Sequence, residues 1–202
     1  MKLHLASGNA HKAAEFNALA MAAGLPLEIV SARSVGGMPD VIEDTGTFAG
    51  NAGKKARALQ LKLPAGAWVL ADDSGLCVAA LNGAPGVESA YYAGPEGDSV
   101  ANLRKLTEAM RSVPADRRQA YFVCVLLLID PQGREHVFEG RCEGRLRDAP
   151  VGRAGFGYDP LFVADGQAKT FGELSDNTKN ELSHRGRAWN QLAAWLRRQD
   201  GA

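Results

Sequence analysis

Two adjacent carboxylates follow a short apolar run in Trp68-Val69-Leu70-Ala71-Asp72-Asp73-Ser74-Gly75. Val69, Leu70 and Ala71 suit a buried strand. Successive side chains of a strand point to opposite faces, so one Asp can face a cleft while the other faces structure. At the end of such a strand, with Gly75 allowing a sharp turn, a carboxylate could hold a hard cation or activate water. A turn whose Asp and Ser bond their own backbone is the other reading, and this stretch alone leaves both open. A second acidic pair, Glu43-Asp44, precedes a segment where Phe48, Ala52, Ala56, Leu59 and Leu63 form one helical stripe. Lys55 lies inside that stripe. A lysine on a core-facing stripe must snorkel or meet an anion. Metal-bound phosphates beside it would explain both the lysine and the acidic pair.

Two further stretches carry binding chemistry. Ser7-Gly8-Asn9-Ala10-His11-Lys12 joins a first strand to a helix. Backbone N–H groups and the helix dipole there could seat a phosphate, with Lys12 adding charge. The loop is neither a Walker sequence nor a dinucleotide fingerprint, and an ordinary helix start stays open. Near the other end, Gly155-Phe156-Gly157 leaves an aromatic ring poorly covered by its own chain. That suits a platform for a flat ligand such as a base, or a core plug in a glycine-rich turn. Lys179, His184 and Arg185 cluster at the start of the last helical segment. Arg185 falls in its apolar stripe with Leu182, Trp189, Leu192 and Leu196, which favours an anion or carbonyl site.

The elements that must position these residues alternate along the chain. Strands are expected at residues 2–6, 27–30, 69–71, 76–81, 120–129, 136–140 and 161–163. Helices are expected from the loop at Lys12 to about Ala23, then over 47–63, 100–113 and 177–198. Repeats, low-complexity tracts and linkers are missing from this pattern, so a single domain over residues 1–202 is expected.

Bulk properties narrow the function classes. Of the 202 residues, 46% are apolar, and 23 basic residues balance 23 acidic ones, an ordinary globular composition. Balanced charge argues against binding polymeric nucleic acid, so any polyanionic ligand needs a local cluster of cations. Cys77, Cys124 and Cys142 have neither zinc-site spacing nor the look of a disulfide framework. The N-terminus turns polar too early for a signal peptide, and no apolar run approaches membrane-spanning length. No membrane association and a reducing cytoplasm are the expectation.

Taken jointly, six motifs resemble the inosine triphosphate pyrophosphatase family, also called Ham1-like. They are Ser7-Gly8-Asn9…Lys12, Thr47-Phe48…Asn51-Ala52…Lys55-Ala56, Ala71-Asp72-Asp73-Ser74-Gly75-Leu76, Gly83-Ala84-Pro85-Gly86, Gly155-Phe156-Gly157-Tyr158-Asp159-Pro160 and Ser183-His184-Arg185-Gly186. Each is weak alone; six in the family's order over nearly the whole chain are specific. Ser7 stands where the family often has Thr, and Glu43-Asp44 leaves open which carboxylate reaches a metal.

The resemblance implies an elongated α/β fold: a long mixed central sheet flanked by helices, with two lobes and an active-site cleft between them. It implies a homodimer that hydrolyses ITP, dITP and XTP to the monophosphate and pyrophosphate with Mg²⁺, removing deaminated purines from the nucleotide pool. It implies Asp73 as the catalytic base and Glu43 with Asp73 as metal ligands. Substrate contacts fall to Ser7, Gly8, Asn9, Ala10, His11, Lys12, Lys55, Ser74, Phe156, Gly157, Tyr158, Asp159, Lys179, His184 and Arg185. Two rivals remain: a sugar-phosphate phosphatase, which would not need a base platform, and a non-catalytic nucleotide binder, which would gain little from acidic residues near phosphates.

Overall fold

The computed structural model describes residues 1–200. Its six strands form one sheet in the order β2-β1-β3-β4-β5-β6. They are β1 (Lys2–Leu5), β2 (Glu28–Ser31), β3 (Trp68–Val78), β4 (Gln119–Ile129), β5 (Glu135–Leu146) and β6 (Phe162–Ala164). β1 pairs in parallel with β2 and β3, while β5 and β6 are antiparallel, so the sheet is mixed. The helices are α1 (Ala10–Ala22), α2 (Phe48–Gln60), α3 (Ser99–Ala109), α4 (Asp176–Leu182) and α5 (His184–Asp200). This is the α/β class expected from the sequence. None of these helices is long and apolar enough to cross a membrane.

The chain divides into two compact units. The first holds Met1–Asp73, Cys124–Gly140 and the chain from Gly186 on; the second holds Ser74–Val123 and Arg141–Arg185. Two apolar layers build the first unit. Leu3, Leu5, Leu70, Cys124 and Leu126 pack with Phe16 and Leu19 of α1 and Trp189 and Leu192 of α5. Val69, Ala71, Leu127 and Ile129 pack with Ala52, Ala56 and Leu59 of α2. Strand alternation decides which residue joins which layer: Leu70 goes one way, Val69 and Ala71 the other. The second unit has its own core, in which Leu106 and Met110 of α3 meet Leu76, Phe122, Leu146, Phe162 and Phe171.

Two differences from the sequence reading bear on the candidate site. Asp72-Asp73-Ser74-Gly75 does not end a strand; it lies inside the unbroken eleven-residue β3. Gly75 makes no turn there, because the apolar residues on both sides, Val69–Ala71 and Leu76–Val78, are buried in cores and carry the ladder through. The helix expected over 177–198 is two helices. Ser183 is extended at φ −69° and ψ 157°, and its N–H closes α4 by bonding to Lys179 O at 2.8 Å. Lys179 therefore belongs to α4, while His184 opens α5.

Candidate active site

The two carboxylates of β3 answer to two different helices. Alternation turns Asp72 to the layer of Leu70 and α1, and Asp73 to the layer of Ala71 and α2. Asp72 Oδ1 lies 2.8 Å from Lys12 Nζ on α1. Lys55 Nζ, on α2, donates to Asp73 Oδ1 at 2.7 Å and to Glu43 Oε2 at 2.8 Å. With its side chain only 12% exposed, Lys55 does not snorkel; it meets carboxylates.

Electrostatics follow from this crowding. Burial, helped by the nearby Glu43 and Asp72 charges, raises the Asp73 carboxyl to about 6 against the downward pull of Lys55. Burial alone would lower Lys55, but Asp73 and Asp72 beside it outweigh that and raise it, so it stays charged. Asp73 Oδ2 is buried and has no hydrogen-bond partner among the described residues. A buried carboxylate oxygen in that condition fits a cation or a bound water.

The acidic pair before α2 splits. Glu43 turns to Lys55, whereas Asp44 pairs with Lys54 on the exposed side, which holds the Asp44 carboxyl below its usual value. Glu43 is thus the one brought to Asp73. Among the described residues no three His, Cys, Asp or Glu side chains converge into a ready metal cage. Glu43 and Asp73 are a sparse donor set, of the kind that suits an ion keeping most of its waters or sharing a phosphate.

In the loop before α1, Ser7 Oγ accepts the Asn9 N–H at 3.1 Å, so the Ser7 hydroxyl shapes its own turn. Gly8 and Asn9 are exposed just ahead of α1. The side chains of Ala10 and His11 lie outside the described residues.

In the second unit, Gly155 and Gly157 take positive φ of 71° and 62° around Phe156. A Cβ on Gly155 would run into the Asp159 carboxylate and come 3.0 Å from Lys179 Nζ. Asp159 is buried; its Oδ2 accepts the Phe156 N–H at 2.8 Å and Lys179 Nζ at 2.6 Å. Lys179 Nζ sits 5.1 Å, and the Arg185 guanidinium 5.6 Å, from the centre of the Phe156 ring. Phe156 is 42% exposed, so it is not a core plug but an open ring beside two cations. His184 is buried and stacks on Phe122 at 4.7 Å and 11°.

Tyr158 is placed differently. It is buried in the second unit's core, and its hydroxyl donates to Ser89 O at 2.8 Å. Burial lifts its phenol above the usual range. Ser74 follows Asp73 on β3 and is half-buried. The sequence reading gave no role to Asn51 or Thr45, which lie beside Glu43's segment. The sequence offered only a polar residue beside the apolar stripe of α2; the structure shows Asn51 to be 1% exposed.

The first unit thus carries a buried cluster of carboxylates and lysines, and the second an exposed aromatic ring beside two cations. The chain belongs to the Ham1 family, whose profile matches residues 3–195. A dITP/XTP pyrophosphatase of Opitutus terrae is 62% identical over 202 residues, spanning 98% of this chain and 100% of its own length. Another from Streptomyces coelicolor is 46% identical over 198 residues, spanning 97% of each chain. Among solved structures, the Ham1 protein of Staphylococcus aureus superposes with a TM-score of 0.85 at 36% identity, covering 98% of this chain and 100% of its own.

Proposed function

We propose that the chain hydrolyses deaminated purine nucleoside triphosphates, namely ITP, dITP and XTP, to the monophosphate and pyrophosphate, with Mg²⁺ as cofactor. The observation that carries this reading is the Glu43–Lys55–Asp73 cluster, in which Asp73 keeps one buried oxygen without a partner. A lone snorkelling lysine or a surface turn would not need that arrangement. The family membership and the named activities of the relatives support the same reading.

In this reading Glu43 and Asp73 would hold the cation, which would offset phosphate charge. Asp73 orients a water and takes its proton as the water oxygen bonds to phosphorus, with pyrophosphate leaving. Lys12, Lys55 and the backbone of 7–12 face the phosphates. Phe156 stacks on the purine, while Lys179, His184 and Arg185 supply donors toward its carbonyl. Asp159 holds Phe156 and Lys179 in place. The two units act as one functional domain, in a cytoplasmic homodimer that takes free nucleotides and not polymeric nucleic acid.

A panel of ITP, dITP, XTP, GTP and ATP with Mg²⁺, scored for pyrophosphate, tests this. ITP, dITP and XTP are expected to give the monophosphate and pyrophosphate. Orthophosphate as the first product would overturn the reading in favour of a phosphatase, and tight ITP binding without turnover would favour a non-catalytic binder.

A further inference from the structure

Glu43 sits in a segment that cannot fix its own position. Residues 37–44 form no helix or strand, and Ile42 is 77% exposed. Such a segment samples many conformations unless something else holds it. The hold comes from one side of α2. Asn51 Oδ1 accepts both the Thr45 N–H at 3.2 Å and the Thr45 hydroxyl at 2.7 Å. Lys54 Nζ donates to Ile42 O at 3.1 Å and pairs with Asp44. Thr47 Oγ1 accepts the Gly50 N–H at 3.1 Å and so starts the helix beside the same segment. Gly50 makes the close approach possible: a Cβ there would run into Thr45 and come 2.8 Å from Thr47 Oγ1.

We infer that Asn51 is a positioning residue, strapping Thr45 onto α2 so that Glu43 reaches Lys55 beside Asp73. The inference rests on the reading above in which Glu43 serves the reaction. Asn51 is the main buckle for two reasons. It is buried at 1% exposure, whereas Lys54 and Asp44 are an exposed pair of the sort that contributes little. It also bonds both the backbone and the side chain of the same residue, which fixes Thr45 in orientation as well as distance. Without it, Glu43 is held only by Lys55 and, through its neighbours Ile42 and Asp44, by the exposed Lys54.

The test pairs exchange with kinetics on the full chain. In Asn51→Ala, hydrogen exchange at Thr45 should quicken while the α2 amides of residues 52–59 keep their protection. With ITP and Mg²⁺, kcat should fall by roughly ten- to a hundredfold, the usual effect of losing a residue that orients a ligand, with KM little changed. Asn51→Asp retains the acceptor oxygen and should restore both. Combined with Glu43→Gln, Asn51→Ala should add almost nothing to the loss, because both changes remove the same placed carboxylate. Gly50→Ala puts a methyl group against Thr45 and should quicken the same amide, which keeps the test open if Asn51→Ala folds poorly. Unchanged Thr45 exchange, or full additivity with Glu43→Gln, would overturn the inference. Full activity in Glu43→Gln would instead remove Glu43 from the reaction, and the Thr45 exchange rate then decides the strap alone.

Discussion

The acidic site of the first unit and the aromatic site of the second solve opposite problems. In the first, Lys12 and Lys55 are already matched to Asp72, Asp73 and Glu43, and the charges are mostly hidden from water. In the second, Phe156 stays 42% exposed, with Lys179 and Arg185 beside its ring. Buried ion pairs seldom gain stability over apolar residues of the same volume, so a cluster of them needs another reason to exist. An exposed aromatic ring held by glycines at positive φ likewise contributes little to a core. Each unit departs from what stability alone would choose, and the departures suggest chemistry in one and recognition in the other.

The largest expected effect separates them at once. Asp73→Asn is nearly isosteric and should leave the fold intact, but it removes the base and a charge that meets Lys55. We expect kcat to fall by at least about a hundredfold, while the ranking of purines by KM stays as in the parent. Near-normal turnover would take Asp73 out of the mechanism and break the division. A changed purine ranking would show that the acidic site also chooses the base.

The sequence made this division partly legible. Lys55 inside an apolar stripe narrowed the choice to a snorkelling lysine or one that meets an anion, because helical periodicity fixes which face a residue takes; the bonds to Glu43 and Asp73 decide for the anion. The adjacent Asp72 and Asp73 correctly implied two faces, because strand alternation is strict. What failed was the end of an element. Gly75 read as a turn, yet β3 runs on to Val78, since both flanking segments are buried in cores that local preference does not see. The break at Ser183 was hidden for a similar reason, as no Gly or Pro marks it. Tyr158 and Asp159, read together from a motif, part company in space: one hydroxyl goes to Ser89, the other side chain to Phe156 and Lys179. Neighbours in sequence share a motif without sharing an environment. Asn51 stood in a quoted motif without a role, because its value lies in a bond to a segment with no periodicity of its own.

A middle-sized effect sharpens the second site. Phe156→Ala should raise KM for ITP, XTP, GTP and ATP alike, by roughly tenfold, since stacking is worth about 1–3 kcal/mol per base and every purine has a face. Arg185→Ala should act unequally. Hypoxanthine presents a carbonyl where adenine presents an amino group, and a guanidinium has only donors to offer. Losing it should cut kcat/KM for ITP and narrow the ratio of ITP to ATP, because a donor facing a donor is what rejects adenine. An unchanged ratio would move base selection to another residue of that unit.

The smallest effect on activity is expected where the first unit holds a charge for structure alone. Asp130, at the turn after β4, is buried and collects four donors. Its Oδ1 accepts the N–H groups of Gln132 and Arg134, both at 2.9 Å. Its Oδ2 meets Arg134 Nε at 2.7 Å and His136 Nε2 at 2.9 Å. Burial pushes the Asp130 carboxyl up, but His136 and Arg134 outweigh it and hold it well below the usual carboxylate range. A carboxyl depressed in the folded state stabilises above its unfolded pKa of about 3.9, and the gain fades as pH falls toward the folded value. Asp130→Asn keeps the shape but turns an amino group toward Arg134 and His136. At pH 5 we expect a loss of about 2 kcal/mol, the scale of a charged hydrogen bond, or a melting point lower by roughly 4–8 °C. At pH 3 the gap between parent and variant should be smaller, because the parent's own carboxylate is then losing its advantage. Turnover and purine ranking at low temperature should match the parent. If turnover fell with the melting point intact, the hairpin charge would belong with Asp73 and Lys55, and the first unit's charges could not be sorted into those that react and those that only hold the fold.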